Sequence, residues 1–243
     1  MRIIKLNAID STNSYLRRLS NEGRVENYTV VTAKYQTQGR GQMGSTWSSE
    51  HDKNLIFSVF KGVSWLDKQH PFLISMVASL AVLKALQKLG ISKLSIKWPN
   101  DILSENKKIC GILIENVIKQ NGLDSTIIGV GLNVNQTDFE NLPKASSLKA
   151  VTGIVFNLDE VLHLILDELK HAFEVLKKGS YKALKEEYEN YLFRKNKPSS
   201  FLDAEGLIFT GIIKSVTLEG SLQMLLEDNI TKEFDLKEIS LMY

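Results

Sequence analysis

Cysteine is all but missing from this chain of 243 residues. Cys110 stands alone, which rules out an intrachain disulfide and fits a reducing compartment. With neither a partner nor an activating base in the pattern, it reads as a small buried hydrophobe. An excess of either charge is missing too: 30 basic residues against 28 acidic ones leave a formal net charge of +2. Such a balance gives no polybasic footprint, so neither an extended nucleic-acid interface nor attachment to a membrane surface is expected. No apolar run approaches the roughly 18 residues of a membrane-crossing helix. The opening residues, Met1 to Asn7, lack the apolar stretch of a secretory signal. These absences predict a soluble, cytoplasmic protein. The histidines His51, His70, His163 and His171 fall in no metal-ligand spacing and no Ser-His-Asp order. Electrostatic activation of an anionic substrate is therefore expected, rather than nucleophilic attack by the protein.

What is present is an ordinary globular composition, 43% hydrophobic and 24% charged. That suffices for a large domain with a small companion. Capping side chains at Asp10 to Asn13, followed by Tyr15, Leu16 and Leu19, predict a short helix over 12–22. Strand character follows at 28–33 and 54–60, separated by a polar, glycine-rich stretch from Gln36 to Lys53. The run from Pro71 to Leu89 is apolar on nearly every helical face and predicts a buried helix ended by Gly90. Residues 94–98, 108–118 and 125–134 read as strands, and Asn121-Gly122 predicts a hairpin joining the last two antiparallel. Two helices are expected at 158–177 and 180–192. After Lys195-Asn196-Lys197-Pro198 only short strand-like runs remain, at 207–216, 222–226, 233–236 and 238–242. The expectation is an α+β domain, residues 1–195, with a small all-β barrel, 196–243, appended.

Gly39, Gly41 and Gly44 satisfy the G-x-G-x-x-G spacing of dinucleotide folds. That motif needs a helix opening at the glycines, and Ser45 to Lys53 are unlike a helix. A P-loop is excluded because no glycine precedes Lys and then Ser or Thr. A strand–loop–strand remains, whose glycines let backbone amides approach an anion. Arg40 sits within it, the one arginine between Arg24 and Arg194 in a lysine-rich chain. A planar, permanently charged fork suits phosphate or carboxylate; a solvated surface arginine is the plainer alternative.

Lys97-Trp98-Pro99-Asn100-Asp101 ends a strand. Asn100 and Asp101 together suit a magnesium ion or a sugar hydroxyl, or simply stabilise a turn. Lys108, entering the next strand three residues before Gly111, is placed to set an ammonium over a phosphate. An edge-strand lysine guarding against aggregation has the same signature.

These segments together resemble the biotin protein ligases along essentially the whole chain. The resemblance is carried by Asp10-Ser11-Thr12-Asn13, Gln36-x-x-Gly39-Arg40-Gly41, Trp47, Lys97 to Asp101, Lys108 to Glu115, Gly129-Val130-Gly131-Leu132-Asn133-Val134 and Glu238 to Leu241. It implies an α+β catalytic domain with a mixed sheet and packed helices, and a C-terminal SH3-like barrel. It implies a two-step reaction: biotin and ATP give biotinyl-5'-AMP and pyrophosphate, then a lysine of a biotin carboxyl carrier domain displaces AMP. Lys108, Arg40 and Asp101 are the implied catalytic residues. For biotin the resemblance implies Ser11, Thr12, Asn13, Gln36, Gly39, Arg40, Gly41, Gln42, Lys108, Gly111, Gly129 and Gly131. For ATP it implies Arg40, Gln42, Trp47, Lys97, Asn100, Asp101, Lys108 and Asn133, with Mg²⁺ at Asn100 and Asp101. Trp47 and Trp98 are candidates for stacking on adenine, with a core role as the alternative.

Two departures mark this chain. Gln42 stands where many members carry a second basic residue, so closure over the adenylate is expected to use hydrogen bonding there. No DNA-binding domain precedes the first strand, so repression is not expected; a homodimer stays open. The rivals are a lipoate or octanoate ligase of shared fold and a non-catalytic biotin sensor. The Gly-Arg-Gly loop and the KWPND segment favour biotin over the first, and the phosphate-directed charges argue against the second.

Overall fold

The computed structural model describes residues 1–119, 122–140 and 142–243. Its larger sheet holds β1 (Arg2–Ile9), β2 (Thr29–Gln36), β3 (Leu55–Gly62), β4 (Leu94–Lys97), β5 (Asp101–Ser104), β6 (Lys107–Lys119) and β7 (Gly122–Leu132). The strand order is β1-β2-β3-β7-β6-β5-β4. β1 and β2 run parallel and every other neighbouring pair runs antiparallel, so the sheet is mixed. A parallel pair needs a crossover, and α1 (Thr12–Glu22) supplies it. The remaining helices are α2 (Phe72–Lys88), α3 (Leu148–Thr152), α4 (Leu158–Lys177) and α5 (Tyr181–Asn190).

Successive strand residues point to opposite faces, and the apolar residues are arranged accordingly. Val30, Val59 and Ile128 join the core beneath α2 and α4, while their neighbours Val31, Phe60 and Ile127 pack with Leu16 of α1. α2 tolerates apolar residues all round because it touches β4, β5 and β6 as well as α4 and α5. Each such buried Leu or Ile stabilises the fold by about 1.5–3 kcal/mol relative to exposure. Cys110 belongs to this core with no exposed surface, and burial pushes its thiol above the usual range.

The C-terminal strands β8 (Pro198–Asp203), β9 (Ile208–Val216), β10 (Leu222–Leu225), β11 (Thr231–Phe234) and β12 (Ile239–Met242) form a second, antiparallel sheet. Its order is β11-β10-β9-β8-β12, and among the described residues no ladder joins β11 to β12. The all-β character expected after Pro198 is present, but the pairing does not close a barrel. Side chains from the first body hold this sheet in place, Trp98 and Glu189 among them. The Trp98 indole N–H donates to Gly220 O at 2.9 Å, and Glu189 of α5 accepts from the Val216 N–H at 2.9 Å. Lys185 at 2.7 Å and Lys195 at 3.1 Å complete the partners of that carboxylate.

β5, β8 and α3 are additions to the expected elements. Asp101 opens a strand rather than ending one: β5 turns back on β4 and pairs Lys97 with Asp101. β6 and β7 pair antiparallel out to Lys119 and Gly122, as the hairpin signal predicted; Asn121 itself lies outside the described residues. Among those residues, no helix is long and apolar enough to cross a membrane.

Candidate active site

The sheet face that carries α1 is only partly covered by it. Beyond the helix start, the residues on that face are Ile56 and Ser58 of β3, Gly129 and Gly131 of β7, and Gly111, Leu113 and Glu115 of β6. Three glycines among them make room for other side chains to lie against the strands, Trp47 over Gly131 and Gly111 and Asn13 against Gly129. The result is a cleft of about 190 Å³. Its walls are the N-terminal turn of α1, the loop 40–47, and the start of β5 with Lys108.

The α1 wall is a buried hydrogen-bonded set. Ser11 caps the helix, its hydroxyl accepting from Ser14 N–H. Thr12 N–H donates to Gln36 Oε1 at 2.8 Å. Ser58 Oγ, with one proton to give, stands 2.7 Å from Thr12 Oγ1 and 2.5 Å from Asn13 Oδ1. The Asn13 amide N–H then donates to Glu115 Oε2 at 2.8 Å. A β-carbon on Gly129 would overlap Asn13 Oδ1, so only glycine admits this asparagine against β7.

The glycine-rich loop folds back on itself, with the Gly41, Ser45 and Trp47 amides turned into its own backbone. Gly41 N–H donates to Ser45 O at 2.7 Å and Trp47 N–H to Gly39 O at 3.0 Å, around a 3-10 turn at Gln42–Gly44. No helix follows the glycines, in agreement with rejection of the dinucleotide motif; the chain runs on into β3. Trp47 is laid flat on the cleft floor: a β-carbon on Gly131 would fall within its indole ring. Its Nε1 is buried and has no hydrogen-bond partner among the described residues. Arg40 reaches Glu115, with Nη2 at 2.8 Å from both carboxylate oxygens.

Opposite the loop, Lys108 Nζ pairs with Asp101 Oδ1 at 2.7 Å, and Lys97 Nζ lies 3.8 Å from the other oxygen. Burial holds the Lys97 ammonium below the usual lysine range, against the pull of Asp101. Asn100 donates from Nδ2 to Ile112 O at 2.5 Å, which fixes the side chain and leaves Oδ1 as its one acceptor. Among the described residues, no group of three or more His, Cys, Asp or Glu is placed to hold a metal.

The cleft thus gathers Ser11, Thr12, Asn13, Gln36, Arg40, Gly41, Gln42, Trp47, Asn100, Asp101, Lys108, Gly111, Gly129 and Gly131. Three expected site residues stay off its lining. Gly39 is buried beneath the loop, and Lys97 lies behind Asp101 with its Nζ 5.2 Å from the Tyr243 ring. Asn133 instead borders a neighbouring, more apolar hollow with Phe139, Leu142, Pro143 and Tyr243, which shares Trp47 and Lys108 with the cleft. Sequence reasoning gave no role to Ser58 or to Glu115. The one signal for either was position, since Ser58 lies two residues from Ile56 and Glu115 four from Gly111, on the same face of their strands.

Residues 6–133 match the model of the biotin/lipoate A/B protein ligase family. The chain is 31% identical to the bifunctional ligase/repressor BirA of Escherichia coli, over 97% of its own length and 73% of the relative's. It is 36% identical to the biotin–[acetyl-CoA-carboxylase] ligase of Mycobacterium tuberculosis over 66% of its length and 59% of that protein. Its fold is similar to a structure of biotin protein ligase from Aquifex aeolicus in complex with biotin and ATP. The TM-score is 0.82 at 29% identity, covering 99% of this chain and 98% of the other.

Proposed function

The chain belongs to the biotin/lipoate A/B protein ligase family, and from that premise we infer that it is an ATP-dependent biotin protein ligase. It forms biotinyl-5'-AMP from biotin and ATP, then transfers the biotinyl group to a lysine of a biotin-carrying carboxylase subunit. The observation that carries this reading is the pairing of two unlike walls across one cleft. On one side is a buried, neutral hydrogen-bonding set, and on the other a Lys108–Asp101 ion pair 2.7 Å long, facing the Arg40 loop.

The roles follow from chemistry. Biotin's ureido head is neutral and asks for paired donors and acceptors. Thr12 occupies Gln36 Oε1, which leaves Gln36 Nε2 for the ligand beside the Ser11, Thr12 and Asn13 side chains. The apolar chain runs along the Trp47 indole, which lies against Gly131 and Gly111. Its carboxylate arrives between Lys108 and Arg40 and attacks the α-phosphate of ATP as pyrophosphate departs. Both cations neutralise charge on the phosphate as the anhydride forms, and positioning supplies the rest. The acceptor amine then adds to the acyl carbon, and AMP leaves with the bonding electrons. The apolar hollow beside Trp47 and Asn133 suits the adenine ring.

A magnesium ion brought by ATP would neutralise phosphate charge; it would take oxygen ligands, one or two carboxylates and the phosphates themselves, and Asn100 Oδ1 with the Asp101 carboxylate would hold it.

The division into a catalytic unit, 1–195, and a C-terminal unit, 196–243, is part of the same proposal, supported by the second sheet starting at Pro198. An SH3-like barrel is the finer reading of that sheet. The stacking of Phe201 on Phe209 and Phe209 on Phe234, at 5.6 and 5.5 Å, favours it by curling β11 toward β8. A cytoplasmic location fits the unpaired Cys110, and a homodimer is compatible with β1 being a sheet edge.

Exchange of labelled pyrophosphate into ATP tests the reading. Biotin is expected to support exchange and lipoate and octanoate are not, and Lys108→Ala should lower the rate by at least about a hundredfold. Exchange with lipoate alone would reassign the substrate, and exchange with no acid would remove the activity.

A further inference from the structure

We propose that Glu115 is the positioning residue for Arg40, anchoring its guanidinium at the cleft mouth so that the remaining donors meet the adenylate phosphate. This rests on the reading that Arg40 serves biotinyl-adenylate. Glu115 sits on β6, on the cleft face, with a side chain only 17% exposed. Three side chains converge on its carboxylate: Asn13 at 2.8 Å, Arg17 at 3.2 Å and Arg40 at 2.8 Å to each oxygen.

Arg40 needs such an anchor. It stands on a loop whose own hydrogen bonds are backbone turns, and its side chain is 46% exposed. A long, solvated side chain loses rotamer freedom when it grips a ligand, and a partner that has already ordered it removes that loss. The contact with Glu115 uses Nη2 alone. Among the described residues, Nε–H and the Nη1 protons make no hydrogen bond, so Arg40 holds the carboxylate and keeps donors for a second anion. Two guanidinium groups on one carboxylate also leave the cluster cationic, which keeps Arg40 attractive to a phosphate. The same carboxylate fixes the Asn13 amide, so one residue ties the floor of the biotin-binding wall to the loop that covers the phosphate.

Binding of a non-hydrolysable sulfamate analogue of biotinyl-adenylate tests this by a double-mutant cycle. Glu115→Gln is expected to bind it about tenfold more weakly than the wild type. In the Arg40→Ala background the same change should cost little further, because the Arg40 load is gone and the glutamine Oε1 can still accept from the Asn13 amide. Glu115→Asp keeps the charge but withdraws it by one methylene, and should fall between, which covers the case of a glutamine variant that fails to fold. Penalties that multiply in the double variant, or wild-type affinity in Glu115→Gln, would overturn the proposal. A ligand-free readout separates it from the functional reading: the Arg40 Nε–H should be motionally restricted in the wild type and averaged in Glu115→Gln by nuclear magnetic resonance. Equal mobility in both defeats the anchor, whereas a wild type that ignores the analogue defeats the ligase reading instead.

Discussion

A β-carbon added at Gly131 would enter the Trp47 indole, and one added at Gly129 would enter the Asn13 amide. Trp47 is fastened at its backbone to Gly39, so its indole can yield only by turning, whereas Asn13 is held at its side chain by Ser58 and Glu115. Gly131→Ala should therefore tilt Trp47 into the cleft and weaken biotin binding about tenfold in calorimetry, overpacking typically costing 1–3 kcal/mol. Unchanged affinity would mean that the indole swings clear of the ligand. This scale also marks the limit of what was legible. The polar residues of the cleft were readable because Arg40, Asp101 and Lys108 are costly groups in unusual places. Trp47 was left between adenine stacking and the core; it is a half-buried wall that borders both the cleft and the apolar hollow beside it. Its place depends on glycines on two strands more than sixty residues away, a fact that the local sequence around Trp47 does not contain.

Helix α5 docks on the second sheet through one carboxylate. Burial works to raise the pKa of Glu189, but hydrogen bonds from Lys185, the Val216 N–H and Lys195 outweigh it, and the group is held below the ordinary value of 4.5. A carboxylate with a depressed folded pKa contributes stability above its unfolded pKa and loses it as pH falls through the folded one. Glu189→Gln should thus cost about 1–2 kcal/mol at neutral pH. The gap from wild type should close as pH drops below the 4.5 range, measured by chemical denaturation at each pH; a gap independent of pH would deny the ionised carboxylate its role. Long elements such as α2 and α4 were legible because their periodicity is carried within the element. β5 and β8 were not. β5 has four residues and becomes a strand by pairing with β4 and β6, and β8, which begins Pro-Ser-Ser, does so by pairing with β9 and β12.

At the scale of the whole molecule, the two sheets share one apolar core. Val216, Leu222 and Met224 of the second sheet belong to the same cluster as α2 and β6. The β9–β10 turn presses Gly220 against Phe72 and receives the Trp98 indole N–H. Scanning calorimetry of the intact chain should accordingly give a single cooperative transition. Two resolved transitions would show that the C-terminal sheet is a separate folding unit. The second sheet that begins at Pro198 is legible as a change in composition, whereas its contacts with the rest of the chain are not, because Trp98, Glu189 and Gly220 carry no local signal of meeting one another.

The sealed thiol has a practical consequence. Cys110 has no exposed surface, so an alkylating or disulfide-exchange reagent should find nothing to modify in the native chain and one equivalent in guanidinium. Reaction under native conditions would reveal opening of the sheet at β6. With that background silent, a cysteine introduced at exposed Ser48 becomes a unique handle for a fluorophore or spin label, which would report whether the glycine-rich loop moves when ligand is added.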